Sequence, residues 1–169
     1  MALVLEDGSG VATAEAYESV TNFAIYWSLR GVTSIPGSTA NHEEALRIGT
    51  QYLDAVYGRR YRGRRKSRTQ ALHWPRELVW DDQDLEITSA TIPVELKSAL
   101  NEVAYRQRTG TVLLPDVAVT DGGVLLKRIR VGDIETERRY GGGAGLGPLM
   151  RLVDAILKPI ILPDGLLRA

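Results

Sequence analysis

The sequence predicts a mainly α-helical fold, a small helical bundle with a projecting β-hairpin and a C-terminal helical arm. Several segments place apolar residues at spacings of three and four, which is the period of one helix face. A later segment has β-compatible runs on both sides of a Gly-Asp pair, which is typical of a hairpin. We therefore divide the chain into a bundle core with an arginine-rich loop, a β-hairpin, and a glycine tether with an assembly helix, at residues 1–122, 123–140 and 141–169.

Each of the three bundle helices is predicted from its first residues and from a glycine that follows it. A polar side chain caps the first turn, and glycine tolerates the backbone conformation that ends a helix. The third helix begins with a proline, which is favoured at a first helical position. The predicted helices are residues 20–30, 41–57 and 93–108, with Ser19 and Asn41 as N-caps and Gly31, Gly58 and Gly110 as stops.

Residues 59–68, which we call the basic loop, follow the second helix and contain no acid. Their basic side chains are those of Arg59, Arg60, Arg62, Arg64, Arg65, Lys66 and Arg68. The whole chain has 21 basic and 21 acidic residues, so this positive charge is local. Arginine binds phosphates or carboxylates in a bidentate manner. The loop is therefore solvated, faces nucleic acid, or pairs with acids of a neighbouring subunit.

Aromatic residues lie within and around the basic loop. Tyr57, Tyr61 and Trp74 interleave with the arginines and could stack on nucleic-acid bases. Trp74 and Pro75 also close the loop, and we predict that both are structural, with Trp74 buried against the bundle. Further along, residues 81–84 predict a polar turn between two apolar patches.

The end of the chain predicts a short helix that begins at Pro148 and stops at Pro159. So short a helix is marginal alone in water, so its apolar face must pack on something. The glycine tether before it fixes its position only loosely, and we expect it to be an assembly arm that contacts a partner. The residues expected at that contact are Leu149, Leu152, Val153, Ile156, Leu157, Ile160, Ile161 and Leu162.

Several classes of function find no support in the sequence. The chain has no cysteine, so a disulfide framework or a thiolate metal site is excluded. The glycine run lacks the Lys and Ser/Thr of a phosphate-binding loop. We find no catalytic constellation, and expect no enzyme, no cofactor and no metal. No apolar run is long enough to span a bilayer, and we expect no membrane contact.

A set of motifs resembles a known family. They are Glu6-Asp7-Gly8-Ser9-Gly10-Val11, Tyr61-Arg62-Gly63-Arg64-Arg65, Gln70-Ala71-Leu72, Trp74-Pro75-Arg76 and Leu114-Pro115-Asp116. With them the chain resembles the head–tail connector (head-completion or adaptor) proteins of tailed bacteriophages. The nearest group is a phage family labelled putative DnaT-like single-stranded-DNA-binding proteins.

The resemblance implies a structural subunit of the phage neck. Such subunits form a ring, commonly of twelve copies, under the portal protein. The ring lengthens the channel for genomic double-stranded DNA and is a platform for a further neck or tail-terminator protein. The expected location is the virion neck, after assembly in the host cytoplasm, and the C-terminal arm would then contact the portal. The alternative is a protein that binds nucleic acid, specifically single-stranded DNA, through the basic loop.

Overall fold

The computed structural model describes residues 2–111, 113, 127–131, 134–138 and 150–163, and it confirms the mainly α-helical fold class. The chain forms two compact units, one from Met1–Leu113 with Met150–Ala169 and one from Leu114–Leu149. Within the described residues, no helix is both long and apolar enough to cross a bilayer. The helices are α1 (Val20–Ser28), α2 (Thr39–Tyr57), α3 (Val94–Arg108) and α4 (Arg151–Leu157), and a 3₁₀ turn at Lys158–Ile160 follows the last.

Short antiparallel strand pairs accompany the helices. The pairs are β1 (Arg64–Arg65) with β2 (Arg76–Glu77), β3 (Val79–Trp80) with β4 (Glu86–Ile87), and β5 (Lys127–Val131) with β6 (Ile134–Arg138). The predicted polar turn joins β3 to β4. The predicted hairpin is β5–β6, whose register runs from Lys127 opposite Arg138 to Val131 opposite Ile134. The Gly132-Asp133 pair on which it was predicted lies outside the described residues.

The core of the first unit is centred on the contact between α2 and α3. Leu46 and Leu53 of α2, and Leu96 and Leu100 of α3, are fully buried there. Gly49 lies at the contact, where an added Cβ would be 2.8 Å from Leu100 Cδ1. The missing side chain therefore lets the two helices approach closely. The apolar stripe that predicted α2 is the surface that packs.

The start of α2 differs from its prediction. The helix begins at Thr39, and its N-cap is Ser38 rather than Asn41. The backbone N–H of Asn41 donates to Ser38 Oγ at 3.4 Å, while the N–H of Ser38 donates to Asn41 Oδ1 at 2.9 Å. This reciprocal pair is a capping box, in which the third helical residue also bears a polar side chain. Asn41 therefore has the chemistry of a cap but acts from inside the helix.

The C-terminal helix belongs to the core of its own unit. Val153 and Leu157 of α4 and Ile160 just beyond it are fully buried, and Ile161 is buried as well. Tyr57 Oη donates to Asp154 Oδ1 at 2.6 Å and joins α4 to α2. These apolar side chains are not available to a portal or a neighbouring subunit, so the prediction of a partner-binding arm is wrong. Of the other residues expected there, Leu152 is exposed, Ile156 and Leu162 are half-buried, and Leu149 lies outside the described residues.

Candidate nucleic-acid interface

A buried arginine fixes the backbone of the basic loop. The side chain of Arg76, on β2, is only 8% exposed. Its Nη2 atom donates to the carbonyl oxygens of Gly63 at 2.6 Å and Tyr61 at 3.2 Å, and its Nε atom donates to that of Arg62 at 2.7 Å. Its Nη1 atom donates to the carbonyl oxygen of His73 at 3.4 Å. Burial lowers the pKa of Arg76 from its usual value. Sequence reasoning included this residue in a motif but missed this role.

A carboxylate on α2 holds the segment that follows the basic loop. Asp54 accepts hydrogen bonds from Tyr17 Oη at 2.8 and 2.9 Å and from the N–H of His73 at 3.0 Å. The N–H of Trp74 in turn donates to Tyr17 Oη at 3.2 Å. Burial raises the pKa of Asp54, although these donors oppose the change. Trp74 is 0% exposed, the burial that its position predicted, and its peptide bond to Pro75 is cis.

The C-terminal segment pairs with the first half of the basic loop. The N–H of Arg62 donates to the carbonyl oxygen of Ile160 at 3.1 Å, and the N–H of Leu162 donates to that of Arg60 at 2.7 Å. Tyr61 and Ile161 form an antiparallel bridge between these two bonds. The apolar residues after α4 therefore support the loop from below the surface.

The N-terminal glycine motif supports the other half. The buried carboxylate of Glu6 accepts hydrogen bonds from the N–H groups of Gly8 at 3.0 Å, Gly10 at 2.9 Å and Val11 at 2.9 Å. The carbonyl oxygen of Gly8 then accepts one from Lys66 Nζ at 3.0 Å. Glycine suits this turn because both glycines have positive φ. The motif is thus a folded clamp on the basic loop.

The seven basic side chains of the loop divide into two groups. Arg60, Arg62 and Lys66 donate to backbone carbonyl oxygens of neighbouring segments, at Leu162, Ile161 and Gly8. The other four are exposed, and they are Arg59, Arg64, Arg65 and Arg68.

Of the exposed group, Arg64 is paired with an acid and is still 71% exposed in its side chain, 3.3 Å from Glu77 Oε2. Arg65 donates to the carbonyl oxygen of Gln70. Arg59 and Arg68 form no hydrogen bond or ion pair with any residue that the structure describes. The loop thus presents guanidinium groups to solvent on a fixed backbone.

The aromatic residues expected to stack on bases are buried. Tyr57, Tyr61 and Trp74 all belong to the core, so that hypothesis is wrong. The same sequence pattern of alternating aromatic and basic residues occurs in a loop anchored to the core and in a surface that stacks on bases. The exposed aromatic side chain beside the loop is that of Trp80, at 44%. Sequence reasoning missed it, although its position directly after an apolar residue at the start of a polar turn was a signal.

Comparison with known families decides the identity of the chain. A family described as "Putative DnaT-like ssDNA binding protein" matches residues 1–167 of 169. The chain belongs to this family. No curated protein and no solved structure shows significant similarity to this member of the DnaT-like family. Within the described residues, no three His, Asp or Glu side chains are grouped as metal ligands.

Membership of the DnaT-like family corrects the prediction of a head–tail connector, which is wrong. The family description points to single-stranded DNA rather than to a portal, a twelve-membered ring, a further neck or tail protein, or duplex DNA in a lumen. The burial of Val153, Leu157 and Ile160 agrees, since these side chains are packed in the core and are not free to contact a portal. The alternative stated for the basic loop, single-stranded DNA, is the better supported one. The expected location of the protein stays a prediction.

Proposed function

We propose that this protein binds single-stranded DNA through the exposed arginines of the basic loop. The observation that carries the proposal is a rigid backbone frame that holds exposed guanidinium groups, those of Arg59, Arg64, Arg65 and Arg68. The description of the family supports the same ligand. The role is one of binding, and no catalytic step is assigned.

The frame matters because ordering a loop on binding costs free energy. Arg76 donates to three consecutive carbonyl oxygens of the basic loop, those of Tyr61, Arg62 and Gly63. The C-terminal segment pairs with the loop backbone at Arg60 and Arg62, and the N–H of Lys66 donates to the carbonyl oxygen of Pro75. Binding therefore costs mainly the conformational entropy of the arginine side chains, because the loop backbone is already ordered. The exposed guanidinium groups can form charge-assisted, bidentate hydrogen bonds to phosphate oxygens.

The expected binding is independent of sequence and sensitive to salt. Contacts to phosphates carry no base information, and they release condensed counterions from the nucleic acid. The chain has no net charge, so long-range attraction is limited to the neighbourhood of the loop. We therefore expect moderate affinity at low ionic strength and a steep loss as salt is added.

Replacing Arg64 and Arg68 together by glutamine tests the proposal. The matched control replaces Arg30 and Arg151 by glutamine. Both are also exposed, but Arg30 lies just after α1 and Arg151 lies on α4. Both variants change the net charge by the same amount. Fluorescence anisotropy with a labelled oligothymidine should show about tenfold weaker binding for the loop variant, and a salt slope smaller by about 1.4, at 0.7 per phosphate contact. Equal losses in the two variants would contradict the proposal.

A further inference from the structure

The surface beside the basic loop carries the only exposed indole of the chain. The sequence has three tryptophans, of which Trp27 and Trp74 are buried and Trp80 is exposed. Tryptophan is highly buried on average and is enriched at binding interfaces, so the exposed indole of Trp80 is a candidate contact residue.

The local backbone explains why this indole faces outward. Side chains alternate across a strand, and in β3 the side chain of Val79 is fully buried, so Trp80 points to the opposite face. Val79 in turn packs on the basic loop, where a Cβ added at Gly63 would lie 2.7 Å from Val79 Cγ2. The core thus holds β3 against the loop and leaves Trp80 at the surface.

The backbone at Trp80 contacts an arginine of the loop. Arg62 Nη1 donates to the carbonyl oxygen of Trp80 at 3.5 Å and to that of Asp81 at 3.4 Å. Arg64 pairs with Glu77, three residues before Trp80 in the chain. Guanidinium groups near an exposed aromatic ring are the two components of a site for single-stranded nucleic acid.

The chain enters β3 through a strained residue. Leu78 has a φ of +55°, a conformation that L side chains rarely adopt, and its side chain is exposed. Because the side chain is exposed, no hydrophobic burial of Leu78 offsets the backbone strain. Strained backbone of this kind is concentrated at binding sites, where the surrounding structure imposes it. Here it turns the chain from β2 into β3 and sets the position of Trp80.

Acidic residues on the other side of Trp80 restrict where a ligand's phosphates can lie. Glu86 lies directly opposite Trp80 in the strand register, and Asp82 and Asp84 are exposed in the adjoining turn. These carboxylates repel phosphates, while the exposed guanidinium of Arg64 attracts them. A strand on this surface would place its phosphates on the arginine side and a base on the indole.

We propose that Trp80 stacks on an unpaired base of a DNA strand whose phosphates contact the basic loop, and so selects single-stranded over duplex DNA. The inference rests on the proposed function. Every unpaired base has an accessible π-face, so stacking gives strand selectivity without sequence selectivity. In a duplex these faces are covered by neighbouring base pairs.

An abasic strand separates stacking from phosphate contacts. Oligothymidine and an abasic strand of the same length, about 15 nucleotides, have the same phosphates, and only the first has bases to stack. The wild-type protein should bind oligothymidine about tenfold more tightly than the abasic strand. Trp80→Ala should abolish this preference and leave binding to the abasic strand unchanged. Leu152→Ala, which removes a side chain of comparable exposure on α4, should retain the preference.

Intrinsic fluorescence gives a second readout, because Trp80 is the one solvent-accessible tryptophan of the three. Oligothymidine should quench the emission of the wild-type protein. Trp80→Phe keeps an aromatic face, so it should keep most of the affinity and lose most of the quenching. If Trp80→Ala keeps the full preference for oligothymidine, the inference is wrong while the proposed function stands. If the wild-type protein binds neither strand, the proposed function itself fails.

Discussion

The Nη2 atom of Arg76 lies 2.6 Å from the carbonyl oxygen of Gly63, 13 residues earlier in the chain. One buried guanidinium thereby donates hydrogen bonds to several backbone carbonyl groups in the basic loop. These carbonyl groups belong to no helix or long strand. Arginine suits this role because it offers five donors in a planar fork and stays charged when buried. The Trp74-Pro75-Arg76 motif therefore acts as the support of the loop, and the arginines on the loop surface remain exposed.

Arg76→Lys tests this support. A lysine has a single nitrogen and cannot reach the carbonyl oxygens of Tyr61, Arg62 and Gly63 together, so some would stay buried without a donor. We expect the free energy of unfolding, measured in urea, to fall by about 2–4 kcal/mol. Arg64→Lys, at an exposed position, should change it by less than about 0.5 kcal/mol. Equal stability of the two variants would show that the guanidinium is not a support.

The clamp formed by the N-terminal glycine motif depends on close backbone contact at Gly8. Gly8 and Gly31 both have positive φ, and an added Cβ would overlap the carbonyl group of Ala90 at Gly8 but meet nothing at Gly31. Gly31→Ala should therefore cost only the backbone strain, about 1–2 kcal/mol. Gly8→Ala should cost about 1–3 kcal/mol more, because neighbouring backbone must move. Thermal melts of the two variants measure the difference, and equal losses would argue against the close contact.

The assignment of α4 to the core can be tested on one helix. Leu157 is fully buried and Leu152 is 47% exposed. Leu157→Ala should lower the free energy of unfolding of the isolated protein by about 2–5 kcal/mol, through lost burial and the cavity left behind. Leu152→Ala should have an effect below about 0.5 kcal/mol. If both substitutions are harmless in the isolated chain, α4 is not part of its core.

The raised pKa of Asp54 predicts a pH dependence of stability. Burial raises this pKa above its ordinary value of 3.8, so the folded state binds the proton more tightly than the unfolded state does. The stabilisation of the folded state by protonated Asp54 is fully present below pH 3.8 and is lost as the pH rises through the folded-state pKa. The Asp54→Asn variant is the reference, because an asparagine side chain does not ionise. Urea unfolding at a series of pH values should therefore show the wild-type protein losing stability relative to the variant as the pH rises, whereas a constant difference would contradict the shift.

The helices of the fold could be predicted because their evidence is local. The stripe of Ala45, Gly49 and Leu53 and the glycine after α2 are sufficient to identify a packed helix. The partner of an apolar face is not local information. The apolar face of α4 predicted that this helix packs against another surface. Its sequence does not show whether that surface belongs to a neighbouring subunit or to the region around Tyr57 of the same chain.

The candidate site was predictable only in part. The density of arginines after Gly58 is visible in the sequence, but their division into structural and exposed groups depends on distant carbonyl groups, such as Ile161 for Arg62. The same limit applies to the aromatic residues. Tyr61 is buried because Ile161 pairs with it across 100 residues of chain, which no local pattern of charge or aromaticity reveals. Trp80 is exposed because Val79 takes the inward position.

The central claim is that the basic loop binds single-stranded DNA, and a direct titration of the wild-type protein tests it. Fluorescence anisotropy would be recorded with labelled oligothymidine and with a duplex of equal length, at several salt concentrations. We expect saturable binding at low salt, tighter for oligothymidine than for the duplex, with a logarithmic salt slope of about −0.7 for each phosphate contacted. No binding to oligothymidine at low salt, or binding that does not change with salt, would contradict the claim.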